Sequence, residues 1–308
     1  MFVVLTGGTG GAKLIEGLSE EVDPAELTII CNTADDFVFH GLHISPDLDT
    51  IMYTLAGMAD RSKGWGIHGD TFTALAQLAK FGAETWFQLG DQDLATHIFR
   101  THLLSEGLAL SEITDLLKSR LGVKATLLPM TDDAVETRVK TVQGEISFQE
   151  YFVKQRWQSE VKETFYAGVE NSRPGPGVIE ALSNAQQIII CPSNPITSIG
   201  PILAVPGIMS AIKTTNAPVV GVSPIIGDSA VSGPAHKLMT AQGREASAFG
   251  VAQSYSDLLD AFLVDKTDEA LCEKVERLGI DAKATSIRMD SDEQKRRLAR
   301  EVLASAGK

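Results

Sequence analysis

Short runs of apolar residues alternate with amphipathic segments along most of the chain. Runs typical of buried strands occur at 2–6 (FVVLT), 27–32 (LTIICN), 187–194, 217–226 and 261–265. Segments with helical spacing follow, such as KLIEGLSEEV after the first run, a crossover segment beginning near Ser198, and a final charged stretch at about 291–305. Continuous apolar runs are typical of parallel strands covered on both faces. The pattern therefore predicts an α/β protein with a doubly wound parallel sheet.

The interval from about 60 to 165 has a different pattern. TFTALAQLAKFG and LSEITDLLKSRLG have helical spacing, whereas KATLLPM and the alternating VKTVQGEISFQEYF indicate β-structure with a turn at Gln143-Gly144. We therefore predict a smaller α+β domain, residues 61–165, inserted into an α/β core formed by residues 1–60 and 166–308.

Composition excludes several classes of protein. The formal net charge is −13, so no nucleic-acid partner is expected. Cys31, Cys191 and Cys272 are odd in number and lack CxxC spacing, which argues against a disulfide framework and a zinc site. No signal peptide or apolar segment of membrane-spanning length is evident, so we expect a cytoplasmic protein without a membrane partner.

The first predicted strand runs into a glycine-rich loop composed of Gly7, Gly8, Thr9, Gly10 and Gly11, with Lys13 close behind. Glycines between a strand and a helix let the backbone approach an anion, so a phosphate is the expected ligand. The loop lacks the GxxxxGK[ST] pattern, Lys13 replaces the third glycine of GxGxxG, and Asn32 replaces the acidic residue that binds an NAD ribose. A dehydrogenase is therefore disfavoured, while a glycine turn required only for tight packing stays open.

Four aspartates form a second cluster after the second predicted strand: Asp35, Asp36, Asp47 and Asp49. The carboxyl end of that strand should face the same cleft as the glycine loop. Carboxylates beside a phosphate site are typical ligands of Mg²⁺, which shares its coordination with substrate phosphates. We therefore predict that these aspartates hold Mg²⁺. The alternative is that Asp35 and Asp36 are solvated turn residues and that Asp47 caps a helix beginning near Leu48.

Polar loops also follow the later strands. Ser193, Asn194, Thr197 and Ser198 can offer hydroxyl, amide and backbone donors to a nucleotide, with Ser198 near a helix N-terminus. Another polar loop lies within 222–239. Each is also compatible with a simple helix cap and its turn, but their recurrence after successive strands favours a composite ligand cleft.

Several segments together resemble one known family. They are, in chain order, GGTGGAKL, NTADD, ISPDLDTIMYTLAG, LGDQDLATH, PSNPITSIGPI and SPIIGDSAVSGPAHKLM. In order and spacing they resemble the 2-phospho-L-lactate transferase family of coenzyme F-420 biosynthesis, which includes phosphoenolpyruvate-using bacterial enzymes. The resemblance implies a Rossmann-like nucleotide-binding core, a homodimer, and Mg²⁺-dependent transfer of a phospho-acyl group. The donor would be a guanosine diphosphate conjugate, the acceptor the deazaflavin Fo (7,8-didemethyl-8-hydroxy-5-deazariboflavin), and the second product GMP.

The resemblance also assigns roles to individual residues. It implies that Asp49 contacts Fo close to the metal and the diphosphate, and we take Asp49 as the residue that orients or deprotonates the acceptor hydroxyl. Gln88 stands at a second Fo-contact position, which is usually basic in the family. The GGAK sequence ending at Lys13 is closer to the bacterial GGAR form than to the archaeal GTPK form, which hints at an enolpyruvyl donor. The inserted domain is expected to close over Fo.

The alternative function is binding without catalysis. A related family of nucleotide-sugar-binding regulatory proteins shares a similar glycine loop and an ADD run. The PDLDT and LGDQDLATH segments argue against this alternative, because regulatory binding does not require them.

Overall fold

The computed structural model describes residues 1–227, 229–230 and 233–305. Part of the polar segment 222–239, at residues 228, 231 and 232, lies outside the described residues. The strands are β1 (Phe2–Thr6), β2 (Leu27–Cys31), β3 (Phe37–Phe39), β4 (Leu42–Ile44), β5 (Thr126–Pro129), β6 (Glu136–Thr141), β7 (Gly144–Ser147), β8 (Val161–Ala167), β9 (Gln187–Ile190), β10 (Val219–Val222), β11 (Ile225–Ile226), β12 (Ser229–Ala230), β13 (Ala261–Asp265) and β14 (Asp281–Thr285). The α-helices are α1 (Gly8–Glu21), α2 (Pro46–Leu55), α3 (Thr73–Lys80), α4 (Asp93–Ser105), α5 (Leu110–Arg120), α6 (Val178–Ser183), α7 (Ile199–Ala204), α8 (Ile208–Thr214), α9 (Ala235–Ala241), α10 (Ala248–Ser254), α11 (Cys272–Glu276) and α12 (Asp292–Ala304).

The main sheet is parallel and has the strand order β14-β13-β10-β9-β1-β2-β5. Successive residues of β1 face opposite sides of it: Val3 and Leu5 belong to one apolar core, and Val4 belongs to a second. Both faces are therefore buried, which explains the uninterrupted apolar runs. The predicted α/β class with a doubly wound parallel sheet is confirmed.

The direction in which the sheet grows changes between β1 and β9. From β1 the chain extends the sheet through β2 to β5 on one side, and it then builds β9, β10, β13 and β14 on the other. At such a switch point the loops after two neighbouring strands diverge and leave a crevice at the carboxyl edge. Here those loops begin at Gly7 and Cys191, so the glycine loop and the 193–198 loop face each other.

The interval 61–165 contains the predicted kinds of element. α3 and α5 match the two predicted helices, and β6 pairs with β7 in an antiparallel hairpin around Gln143-Gly144, with β8 on the other side of β6. β5, predicted to lie in the insertion, instead pairs in parallel with β2 at the edge of the main sheet, where Leu127 joins the apolar core. The division into two domains stays a prediction, with this strand reassigned to the core.

Two helices differ from their predicted bounds. α1 begins at Gly8, so most of the glycine loop is the first turn of the helix. The segment after Ser198, predicted as one crossover helix, is divided into α7 and α8. The break occurs because Pro206 has no N–H to donate and Gly207 has φ 97°. Within the described ranges, no helix is both long enough and apolar enough to cross a membrane.

Candidate active site

A cleft of about 460 Å³ lies at the switch point of the sheet. The glycines at the start of α1 form part of its wall, together with polar and charged side chains. These are Thr9, Asp35, Asp47, Asp49, Thr50, Tyr53, Lys63, Gln88, Asp93, His97, Gln149, Ser193, Asn194, Thr197 and Ser198. Four carboxylates thus face one lysine, so the described part of the cleft is acidic. The volume is in the range typical of sites for small molecules and cofactors.

The glycine loop is closely packed against the facing wall. A Cβ atom on Gly7 would lie 2.5 Å from Asp47 Oδ2 and 2.7 Å from Ser198 Cβ. A Cβ atom on Gly10 would lie 2.5 Å from the carbonyl oxygen of Pro192. Tight packing therefore requires both glycines, and both also line the cleft.

Asp47 caps the N-terminus of α1. Its Oδ1 accepts the backbone N–H of Gly8 at 2.8 Å, and Gly8 has φ 66°, a conformation that favours glycine. Its Oδ2 accepts the amide of Asn32 at 2.9 Å, and the same amide donates to the carbonyl of Thr197 at 3.1 Å. Burial raises the pKa of Asp47 to about 6 despite these two hydrogen bonds. Asn32 was predicted to bind substrate. It is fully buried and does not line the cleft, so its role here is to position Asp47.

Ser193 and Asn194 organise the loop after β9. The Ser193 hydroxyl donates to the carbonyl of Gly7 at 2.7 Å and so joins the two sides of the switch point. Asn194 Oδ1 accepts the backbone N–H groups of Ile196 at 2.9 Å and Thr197 at 3.3 Å. The loop therefore has a defined shape, and its polar side chains are held at the cleft wall.

Asp35 and Asp36 have different surroundings. Asp35 lines the cleft, is 6% exposed, and has an Oδ1 atom without a hydrogen-bond partner among the described residues. Burial and the charge of Asp47 raise its pKa well above the usual value. Asp36 does not line the cleft, because its Oδ2 accepts the Ser45 hydroxyl at 2.6 Å and lies 3.1 Å from His43 Nε2. Neither aspartate is a solvated turn residue.

Asp49, in the first turn of α2, forms a buried ion pair with Arg100 of α4. Nη2 of Arg100 contacts Oδ1 of Asp49, and Nη1 donates to Oδ2 at 3.1 Å. The two residues are 5% and 1% exposed. Burial disfavours the charged guanidinium, but the Asp49 carboxylate more than compensates and the pKa of Arg100 is raised above its usual value. Arg100 therefore supplies a fixed countercharge to the Asp49 carboxylate.

Asp93 extends this ion pair into a network. Its Oδ1 accepts the Tyr53 hydroxyl at 2.8 Å, and its Oδ2 lies 3.2 Å from His97 Nε2. The other ring nitrogen of His97 lies 3.6 Å from Asp49 Oδ2. Ligand atoms of Asp49, Asp93 and His97 come within 4.8 Å of one another, a spacing that a metal ion could bridge. The guanidinium of Arg100 already supplies positive charge there, which disfavours a second cation.

Two aromatic clusters present rings to the cleft. Phe87 contacts Phe37 edge to face, with the ring centroids 4.8 Å apart. Phe152 is stacked between Phe148 and Trp157, at centroid distances of 5.4 and 5.3 Å. Phe87, Phe148 and Phe152 line the cleft. Such surfaces suit flat ring systems.

Most of the predicted site residues meet in the cleft. Those that line it are Gly7, Gly8, Thr9, Gly10, Asp35, Asp47, Asp49, Gln88, Ser193, Asn194, Thr197 and Ser198. Those that do not are Gly11, Lys13, Asn32 and Asp36. Lys13 lies five residues beyond the first residue of α1, about 7.5 Å along the helix axis. Lys63 is the one lysine or arginine among the described lining residues, and its Nζ lies 3.4 Å from Asp60 Oδ2.

Several residues of the site were not predicted from the sequence: Tyr53, Lys63, Arg100, Phe148, Gln149 and Phe152. Of these, Arg100 had a detectable signal, because it has helical spacing with two residues of the LGDQDLATH run. Asp93, His97 and Arg100 recur at positions i, i+4 and i+7, which places three ionisable side chains on one face of a helix. The aromatic residues had no such signal, because apolar side chains are usually part of a core.

The fold and the cleft define the class: a doubly wound α/β protein with a polar, acidic ligand cleft at its topological switch point. Residues 2–306 match the family model for 2-phospho-L-lactate transferase CofD. The chain belongs to this transferase family, as the sequence motifs predicted.

Similar proteins span the same length. A phosphoenolpyruvate transferase from Streptomyces griseus is 46% identical, with 99% of this chain and 98% of the relative covered. A 2-phospho-L-lactate transferase from Methanosarcina mazei is 43% identical, with 98% and 99% covered. A crystal structure of a UPF0052 family member from Bacillus halodurans has a TM-score of 0.64 at 17% identity and 98% coverage of both chains, which shows a shared fold.

Proposed function

We propose that this protein transfers a phospho-acyl group from a guanosine diphosphate conjugate to Fo, a step of coenzyme F-420 biosynthesis. One observation carries the proposal: the glycine loop, Asp49 of the PDLD run and Asp93 of the LGDQD run line the same cleft. These segments are far apart in the chain, and a site for two substrates would need them together. Membership of the transferase family supports the same reaction class.

In the proposed reaction, the terminal ribityl hydroxyl of Fo attacks the phosphorus that bears the organic acid. A P–O bond to Fo forms, and the bond from that phosphorus to the bridging oxygen of the diphosphate breaks. The electron pair of the broken bond leaves with GMP, and the hydroxyl proton ends in solvent. Transfer of this kind depends mainly on positioning and on neutralisation of the phosphate charge.

The residues present fit a bound Mg²⁺. Asp35 has a buried carboxylate oxygen without a described partner, and Asp47 has only neutral hydrogen-bond donors. An acidic cleft would repel a diphosphate unless a cation were bound between them. When bound, Mg²⁺ would neutralise phosphate charge. Asp35 and Asp47 are the residues we expect to hold it, because Asp36 does not line the cleft and Asp49 is paired with Arg100.

Asp49 is proposed to orient the acceptor hydroxyl. Each of its oxygens accepts one N–H of Arg100, which leaves lone pairs for a hydrogen bond from a ligand in the cleft. Both oxygens are held in place by Arg100, so the geometry favours orientation of the hydroxyl over removal of its proton. The two aromatic clusters would hold the flat rings of Fo and guanine.

The donor acid is proposed from the sequence of the glycine loop. GGAK ending at Lys13 favours an enolpyruvyl donor, and the relatives include transferases named for phosphoenolpyruvate and for 2-phospho-L-lactate at similar identity.

Mass spectrometry tests the function directly. The protein is incubated with Fo, Mg²⁺ and, in separate reactions, the lactyl, enolpyruvyl and glyceryl guanosine diphosphate conjugates. We expect a phospho-acyl adduct of Fo together with GMP, formed fastest from the enolpyruvyl conjugate. Binding of nucleotides without any adduct would contradict the proposal and favour a regulatory binding protein.

A further inference from the structure

We infer that Arg100 is a positioning residue for this transfer, which fixes the Asp49 carboxylate at the cleft wall and acts on the acceptor hydroxyl only through Asp49. The inference rests on the proposed function for the identity of the acceptor. Asp49 lines the cleft and Arg100 does not. The guanidinium therefore reaches a bound acceptor through the cleft-lining side chains that it contacts, chiefly the Asp49 carboxylate.

The geometry of the pair is specific to arginine. Two N–H groups of the planar guanidinium meet the two oxygens of Asp49, an arrangement that fixes the plane of the carboxylate as well as its position. Nη1 also lies 3.4 Å from the carbonyl oxygen of His43 and 3.4 Å from Nδ1 of His97. Nε is buried and has no partner among the described residues. The guanidinium is thus oriented toward Asp49 even though one of its donors is left unpaired.

Asp49 would change without this partner. Its backbone is fixed in the first turn of α2, where its N–H donates to the carbonyl of Ser45 at 3.0 Å, so only the side chain is free to move. Asp47 and Asp93, which line the same cleft, would repel a second uncompensated anion. The Asp49 side chain would then rotate, and a misplacement of about 1 Å in a reacting group can lower a rate about 100-fold.

The pair also joins two regions of the chain. Asp49 belongs to the helix that follows the β3–β4 hairpin, and Arg100 belongs to α4 of the interval predicted as the insertion. Because both partners are buried, the ion pair fixes the position of α4 relative to the start of α2. Asp93 and His97, on the same face of α4, also line the cleft.

A double-mutant cycle tests the inference. Turnover with Fo, the KM of the guanosine conjugate and thermal stability are measured for Arg100→Met, Asp49→Asn and the double variant. We expect Arg100→Met to lower kcat about 100-fold with the KM of the conjugate changed less than about 2-fold. Adding Arg100→Met to Asp49→Asn should lower kcat by less than about 3-fold, because both changes remove one effect. Multiplied losses, or near-normal kcat in Arg100→Met, would overturn the inference.

Arg100→Lys keeps the test decisive if Arg100→Met is too unstable to purify. Lysine retains the charge but not the two-pronged geometry, so kcat should fall about 10-fold while the protein stays folded. Unchanged kcat in Arg100→Lys together with a folded protein would overturn the role. The matched control is Arg120→Met, an exposed residue at the end of α5, which should leave every parameter unchanged.

Wild-type turnover separates this inference from the proposed function. If the wild-type chain binds Fo but forms no adduct, the proposed function fails, and the same cycle is then measured on Fo affinity. Coupled losses of affinity in the Asp49 and Arg100 variants would support the positioning role, and independent losses would overturn it. If the wild-type chain does not bind Fo, both proposals fail.

Discussion

Asp47 and Asp49 lie two residues apart at the start of α2, yet they are stabilised in opposite ways. Asp47 accepts hydrogen bonds from two neutral groups, the backbone of Gly8 and the amide of Asn32. Asp49 accepts from the guanidinium of Arg100. A carboxylate with neutral donors can still attract a cation, whereas one paired with arginine already has its countercharge. One short segment therefore supplies two different chemical environments to one cleft.

Removal of divalent metal is expected to abolish turnover, through the Asp47 side of the site. In excess chelator, turnover should fall to background, because the diphosphate would face the carboxylates of the cleft without a cation between them. Activity is measured before and after addition of Mg²⁺ or Mn²⁺, either of which should restore it. Full turnover in excess chelator would contradict the proposal that Asp47 holds a metal ion.

Asp49→Asn tests the carboxylate that is paired with Arg100. We expect kcat to fall about 100-fold, because the acceptor hydroxyl loses the carboxylate that orients it, with guanosine nucleotide affinity nearly unchanged. Turnover and nucleotide affinity are compared with those of Asp115→Asn, a control at an aspartate on α5 whose side chain is 71% exposed. If Asp49 served only as the structural partner of the buried Arg100, stability would fall but turnover of the folded variant would be intact.

Gly10→Ala tests the packing of the α1 side. The new Cβ would lie 2.5 Å from the Pro192 carbonyl, so the two loops of the switch point must separate. We expect a loss of about 1–3 kcal/mol in the free energy of unfolding, as for other overpacked sites, and weaker nucleotide binding. Denaturant unfolding and titration calorimetry measure both. Ser19→Ala, on the same helix, is the control, and equal stability in the two variants would contradict tight packing at Gly10.

Lys63 and Lys13 are the two lysines that we consider for contact with a substrate phosphate. Lys63→Ala should weaken guanosine nucleotide binding about 10-fold, because it removes a charge-assisted contact from the cleft wall. Lys13→Ala should change the affinity less than about 2-fold, since Lys13 does not line the cleft. Isothermal titration of both variants decides between them. A larger loss in Lys13→Ala would restore the role first predicted for that residue.

The raised pKa of Asp47 should make thermal stability depend weakly on pH. The pKa of Asp47 is raised from 3.8 to about 6 in the fold, so the native state binds more protons than the unfolded state between these values. Without metal, the contribution of Asp47 to stability should therefore be present below about pH 4 and be lost as the pH rises through about 6. Mg²⁺ requires the deprotonated form, so it should raise the melting temperature at pH 7.5 and have little effect at pH 5. A Mg²⁺ effect that is equal at both pH values would contradict this.

The parallel sheet and its switch point were predictable because buried parallel strands give uninterrupted apolar runs. The glycine loop and Ser193 were found because they follow predicted strands directly, and Asp47 and Asp49 because they belong to an acidic cluster and to the PDLD motif. Arg100 was not, because its spacing with Asp93 and His97 shows only a shared helix face, whereas its partner Asp49 lies 51 positions earlier. β5 was assigned to the wrong region because its four residues, TLLP, resemble any short strand, and only the pairing with β2 decides its place.

The place of β5 has a consequence for how the protein unfolds. The chain leaves the sheet after β2, returns for the four residues of β5, and leaves again before β6. The interval 61–165 therefore consists of two segments outside the main sheet, joined by β5, which is its edge strand. Removing the whole interval would expose the free edge of β2, with unpaired backbone groups that invite association between chains. Loss of β5 would therefore detach both segments from the sheet together and leave them held by side-chain packing, such as that of Ile113 and Val139 in the two apolar cores.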